Sequence, residues 1–162
     1  MTAALRVMGE PYASAVRPGL QSLRRSHRAC VSASDTQHLT GSIDLDDTLR
    51  NHPKHASASR WDYGVGFLAP DQKTRCATWV EVHPATNRDV SFMAKKLAWL
   101  LAWLRHEAPT LLPLTESAQS TLDGSPYVWV ATGTVSVAKG GRSLREYAAL
   151  GGTMPVRKVR LP

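Results

Sequence analysis

The sequence predicts an α/β fold: a mixed sheet flanked by helices, with elements in the order α-β-β-β-α-β-α-β. Three observations predict it. Three successive segments alternate apolar and polar residues, with turn residues between them, which is the two-residue period of an antiparallel meander. A long stripe at helical spacing follows. A strongly apolar strand comes after that helix, so the meander is succeeded by a crossover connection through a helix.

Taken in order, residues 1–17 show no clear period and are expected to form a loose arm, with a single domain spanning 18–162. Pro18 suits a helix start. Leu20, Leu23, His27, Cys30 and Val31 recur at helical spacing with Arg24, Arg25 and Arg28 opposite, which predicts a helix over 18–31. "GSIDLDDTL" (41–49) places Ser42, Asp44 and Asp46 on one face and Ile43 and Leu45 on the other, as in a strand. "RWDYGVGF" (60–67) alternates Trp61, Tyr63, Val65 and Phe67 with Asp62, Gly64 and Gly66. "LAPDQKTR" supplies a turn, and "CATWVEVH" (76–83) is the third strand, ended by Pro84. Val90, Met93, Leu97, Leu100, Leu101 and Leu104 predict a helix over 87–107, widened by Trp99 and Trp103 and stopped by Pro109 and Pro113. Residues 109–126 read as a loop. "YVWVATGTVSV" (127–137) reads as a central strand, "GGRSLREYAALGG" as a short helix ended by glycines, and "MPVRKVRL" as an edge strand.

Of the 162 residues, 43% are hydrophobic, enough for the core of one domain. No apolar run approaches the roughly 20 residues that cross a bilayer, so no membrane segment is expected. The N-terminus lacks a basic start followed by an apolar core, and the two cysteines fit no metal or redox spacing, so a cytoplasmic setting is expected. The net charge of +7 favours polyanions, and DNA, ahead of RNA, is the first partner to consider. Arg24, Arg25 and Arg28 in "RRSHR", with Arg157 and Arg160 in "RKVR", are the candidate phosphate contacts. No phosphate-binding glycine loop and no nucleophile elbow is present.

The chemistry concentrates on "TWVEVHP" (78–84), where Glu81 and His83 share a strand face. A hairpin centred near residue 72 sets Asp62 across from about 82 or 83, beside Glu81 and His83, with Asp44 or Asp46 approaching from the first strand. Adjacent carboxylates repel unless a proton or cation is shared. Mg²⁺, or Mn²⁺ in its place, meets that need with one or two carboxylates, binds phosphate oxygens and activates water. Asp62, Glu81 and Asp44 are therefore the candidate metal ligands.

The order αβββαβ over about 18–137, together with "WDYGVGF" and "WVEVH", resembles the PD-(D/E)xK, or restriction-endonuclease-like, nuclease superfamily. The resemblance implies that Asp62 and Glu81 are the two motif acids and that the protein cleaves nucleic-acid phosphodiesters with a divalent metal. His83 stands where the family has lysine. Members of the superfamily sometimes take that lysine from the following helix, where Lys95 and Lys96 lie. His83, Lys96 and Lys95 are thus the candidate catalytic cations. Other readings stand beside this one. Glu81 and His83 can be a polar sheet face. The chain can be a nuclease-like fold without catalysis that binds nucleic acid or a protein. It can also be an interaction protein dimerising through the Trp99–Trp103 face.

Overall fold

A computed structural model describes residues 1–122 and 124–162 and shows a mixed α/β architecture. The sheet is formed by β2 (Leu39–Asp44), β3 (Tyr63–Leu68), β4 (Arg75–Thr86) and β5 (Tyr127–Ser136), in that spatial order. β2, β3 and β4 are antiparallel neighbours, as the alternation predicts, and β4 and β5 are parallel. A parallel neighbour demands a crossover. Helices α5 (Asp89–His106) and α6 (Leu112–Thr121) supply it.

The long helix forms where its stripe predicts. Val90, Met93, Leu97, Leu100 and Leu104 are buried against the face that carries Ile43, Ala77, Trp79 and Trp129. Asp89 sits in its first turn and Arg105 and His106 in its last, each favourable to the helix dipole. The other sheet face buries Tyr63, Val65, Phe67, Val80, Val82 and Val130 with Leu23, Val31 and Leu161. Gly64 leaves room for the ring of its cross-strand neighbour Trp79 to lie over it, since a Cβ there would stand 2.8 Å from that ring.

Six expectations are corrected. The first concerns 1–17, which is tied down: helices α1 (Thr2–Val7) and α2 (Tyr12–Ala15) bury Leu5 and Tyr12, and Arg17 bridges Ser42. Second, the helix expected over 18–31 shrinks to α3 (Arg25–Arg28), followed by β1 (Val31–Ala33). Gly19 turns the chain with φ +53°, and Ser22 is drawn off to bond Ser42 through both its N–H and its hydroxyl. Third, β2 stops at Asp44, and Leu45–Leu49 is helix α4. Leu45 and Leu49 are four apart and both buried, and Asp44 caps the helix by accepting from the Asp47 N–H at 2.8 Å.

Fourth, β4 runs through Pro84, where its pairing with β5 slips between His83 and Ala85, the setting in which a sheet tolerates proline. Fifth, the expected loop at 109–126 is largely helical: a 3₁₀ turn (Pro109–Leu111) leads into α6, and position 123 lies outside the described residues. Both prolines read as stops instead occupy helix starts, where the missing N–H costs nothing. Sixth, α7 (Arg142–Ala149) is present, but the edge strand contracts to β6 (Val159–Leu161), which pairs in parallel with β1. That pairing brings the two basic stretches of the sequence, 24–28 and 157–160, to neighbouring positions. Among the described residues no helix is long and apolar enough to cross a membrane.

Candidate functional site

The β3–β4 register places Tyr63 opposite Val80, so Asp62, just before β3, falls level with Glu81. This is one step from the expected alignment with 82 or 83. Both side chains lie under α5, which delivers Lys96 one turn beyond Phe92. The Lys96 ammonium donates to Asp62 Oδ1 at 3.3 Å and makes a second, shorter contact to Glu81 Oε1. Its position over the Phe92 ring, 5.6 Å from the centroid, adds a cation–π contact.

The remaining carboxylate oxygens are also held. The Asp62 N–H donates to Glu81 Oε2 at 3.0 Å, and the Val82 N–H donates to Asp62 Oδ2 at 3.1 Å. Each acid is thereby anchored through the other's strand. The Glu81 side chain is 1% exposed, Lys96 9% and Asp62 19%, so the cluster opens to solvent on the Asp62 side. Burial first, then the Asp62 charge, raises the Glu81 carboxyl to about 8; Lys96 and the Asp62 N–H pull it the other way.

The other candidates separate. His83 turns away: its Nδ1 lies 3.1 Å from its neighbour's carbonyl at Pro84 and 3.8 Å from Asp89, and its ring tilts against Phe92 at 5.5 Å. Lys95 is exposed. Asp44 caps α4 and pairs across with Tyr63, on the sheet face opposite Glu81; burial raises it to about 6. Asp46 is bound to Arg60 at 3.0 Å. All five candidate arginines are exposed; Arg28 donates to the Leu23 carbonyl at 2.8 Å and Arg160 to Ser34 at 3.1 Å. Trp103 is buried between Tyr12 and Trp79, and Trp99 stacks on it with His55 at its edge.

Two residues that sequence reasoning passed over stand near the cluster, His27 on the opposite sheet face and Tyr147 beside the β5 neighbour of Glu81. His27 Nδ1 lies 3.0 Å from the Tyr63 hydroxyl, beside Asp62 in the chain and Asp44 across the sheet. No local pattern signals this contact; His27 reads in sequence as part of an apolar helix face. Tyr147 packs edge-on against Trp129, the β5 partner of Glu81, and its buried hydroxyl finds no hydrogen-bond partner.

The two acids converge on one cation, and that cation is an ammonium from the following helix. Their carboxylates touch the same Nζ, well within the ~8 Å beyond which one Mg²⁺ could not bridge them. Among the described residues no group of three or more His, Cys, Asp or Glu stands at metal-ligand spacing. Comparison with protein-family models, with curated proteins and with solved structures finds no match, so the chemistry of Asp62, Glu81 and Lys96 carries the functional reading.

Proposed function

We propose that this chain is a nuclease-like protein with a restriction-endonuclease-like core that hydrolyses nucleic-acid phosphodiesters. The observation that carries the reading is the contact of Lys96 with both Asp62 and Glu81. The resemblance asks for two acids and a lysine. The strand position of that lysine holds His83, and the lysine from the next helix occupies the required place.

Asp62 Oδ1 and Glu81 Oε1 already converge on a cation, which suits Mg²⁺ or Mn²⁺ in ligand type and number. Such an ion supplies Lewis acidity and a water of lowered pKa. Lys96 supplies an ammonium for the phosphoryl oxygens. Asp62 is the more exposed acid and faces the substrate; Glu81 is the buried one and fixes the geometry. In this reading His83 and Lys95 take no part in the chemistry. Arg24 and Arg25 lie exposed for phosphate contact, in the same short segment as His27, which contacts Tyr63.

A second reading has one observation in its favour. Glu81 is sealed from solvent and all four carboxylate oxygens have internal partners, as in an ion pair that serves only the fold. The chain would then bind nucleic acid or a protein without cleaving. Incubation with plasmid and with single-stranded DNA or RNA, in Mg²⁺, Mn²⁺ or EDTA, separates the two. Metal-dependent cleavage abolished in Glu81→Ala and Lys96→Ala supports the enzyme. Salt-sensitive binding without cleavage supports the second reading.

A further inference from the structure

The apolar stripe of α5 turns Val90, Met93, Leu97 and Leu100 into the core, yet Phe92 is 39% exposed. Among the described residues it is the only exposed Phe, Tyr or Trp. Its place matters more than its exposure. The Lys96 ammonium lies 5.6 Å from the ring centroid, and the same Nζ donates to Asp62 Oδ1 at 3.3 Å. The ring centre is therefore no further from Asp62 Oδ1 than those two contacts laid end to end. The half-buried His83 ring braces Phe92 at 5.5 Å.

Cations flank the ring along the helix. Arg88, at the start of α5, stands four residues before Phe92, and Lys95 stands three after it. That spacing sets all three on one side of the helix, and both cations are exposed. A nucleic-acid strand alternates anionic phosphates with planar bases, and a cation, a ring and a cation in a row match that alternation. Stacking of a base on an aromatic side chain is tolerant of sequence, because every base has a π-face. In an intact duplex each base is paired and stacked within the helix, so no base face is free for a ring. An unpaired strand offers one.

We propose that Phe92 is a base-stacking platform and that the strand it takes is unpaired nucleic acid. The stacked base is the one beside the phosphate presented to Asp62 and Lys96; that placement rests on the nuclease reading. Arg88 and Lys95 hold flanking phosphates and take no part in bond cleavage. The stacking itself needs no metal.

The test is anisotropy of a fluorescein-labelled single-stranded oligodeoxynucleotide with the full chain, in EDTA and again in Ca²⁺, across a salt series. The reference ligand is an all-abasic strand of the same length, which keeps the phosphates and lacks the bases. The wild type is expected to bind the base-bearing strand about tenfold more tightly than the abasic one. Phe92→Leu, which keeps apolar bulk beside Lys96, is expected to remove that preference with abasic binding and salt slope unchanged. Phe92→Trp presents a wider face and is expected to keep the preference. Arg88→Gln is expected to weaken both strands alike and to lower the slope by about 0.7, one phosphate contact to a single strand. A blunt duplex of the same sequence is expected to compete less well than the single strand. Equal affinity of the wild type for the two strands, a duplex that competes as well, or a Phe92→Leu that weakens both strands alike, as loss of packing on Lys96 would, overturns the platform. Cleavage by the wild type with a base preference that survives Phe92→Leu sinks the platform and leaves the nuclease reading standing. A preference lost in Phe92→Leu, with no cleavage by the wild type in Mg²⁺ or Mn²⁺, does the reverse. A wild type that binds neither strand overturns both.

Discussion

Lys96 of α5 and Glu81 of β4, fifteen residues apart in sequence, are joined in the interior with both side chains almost fully covered. Such a pair is poorly replaced piecemeal. Removing one partner leaves the other in the interior without its counterpart, while replacing both with neutral side chains of similar volume leaves no buried ion. Lys96→Met is therefore expected to destabilise the fold by about 3 kcal/mol, and Lys96→Met with Glu81→Gln by clearly less. Urea unfolding of the two single variants and the double variant measures the coupling. Additive losses would show that the two groups do not interact.

The pH dependence of stability has a defined sign. The Glu81 carboxyl is raised by burial to about 8 in the fold, against an ordinary value of 4.5. The folded state thus holds this proton more tightly than the unfolded chain. The associated stability is fully present below pH 4.5 and is lost as pH rises toward 8. Thermal melts of wild type and Glu81→Gln across that window are expected to diverge, the wild type losing ground as pH rises. Parallel curves would show that Lys96 keeps Glu81 ionised throughout.

Asp44 gives a second, lower window. It is raised from 3.8 to about 6 by burial, while its side chain caps α4. Asn caps a helix about as well as Asp. Asp44→Asn is accordingly expected to leave the fold intact, to abolish the stability lost between pH 3.8 and 6, and to gain on the wild type above it. Melting curves at pH 4 and pH 7 check this. A loss at both pH values would mean that the charge on Asp44 is needed.

α6 is fixed to the sheet by a buried hydrogen bond in which Trp79 Nε1 donates to Thr115 Oγ1 at 3.1 Å. Thr115→Val keeps the shape and strands the indole N–H. A loss of about 1–3 kcal/mol in chemical unfolding is expected. No loss would mean that α6 is held by its apolar contacts alone.

Much of this architecture is legible in the sequence, and the misses have physical causes. The meander and α5 come from periods of two and 3.6 that the core enforces, and Asp62 and Glu81 meet because a short hairpin leaves little freedom of register. Leu45–Leu49 fits both periods over so short a span, and the cap at Asp44 decides for helix. The 18–31 segment has helical spacing, but bonds to β2 and the pairing of β1 with β6, 128 residues away at Val31 and Val159, override it. At the site, Glu81 and His83 share a strand face in sequence, yet the slip at Pro84 and the contact with Phe92 carry His83 aside. Lys96 could be found only as one of two adjacent lysines. Which of them points inward depends on how α5 is rotated on the sheet, and Val90, Met93, Leu97 and Leu100 fix that rotation. The His27–Tyr63 contact joins residues 36 apart and had no local signal.

The central claim is that Asp62, Glu81 and Lys96, and not His83 or Lys95, form a hydrolytic centre. The most direct measurement is cleavage of labelled DNA by the purified protein in Mg²⁺, Mn²⁺ and EDTA, comparing wild type with Asp62→Asn, Lys96→Gln, His83→Ala and Lys95→Ala. The account predicts metal-dependent cleavage that falls at least about a hundredfold in Asp62→Asn and Lys96→Gln and is retained in His83→Ala and Lys95→Ala. Cleavage that survives Lys96→Gln and is lost in His83→Ala, or no cleavage by the wild type on DNA or RNA in either metal, would contradict it.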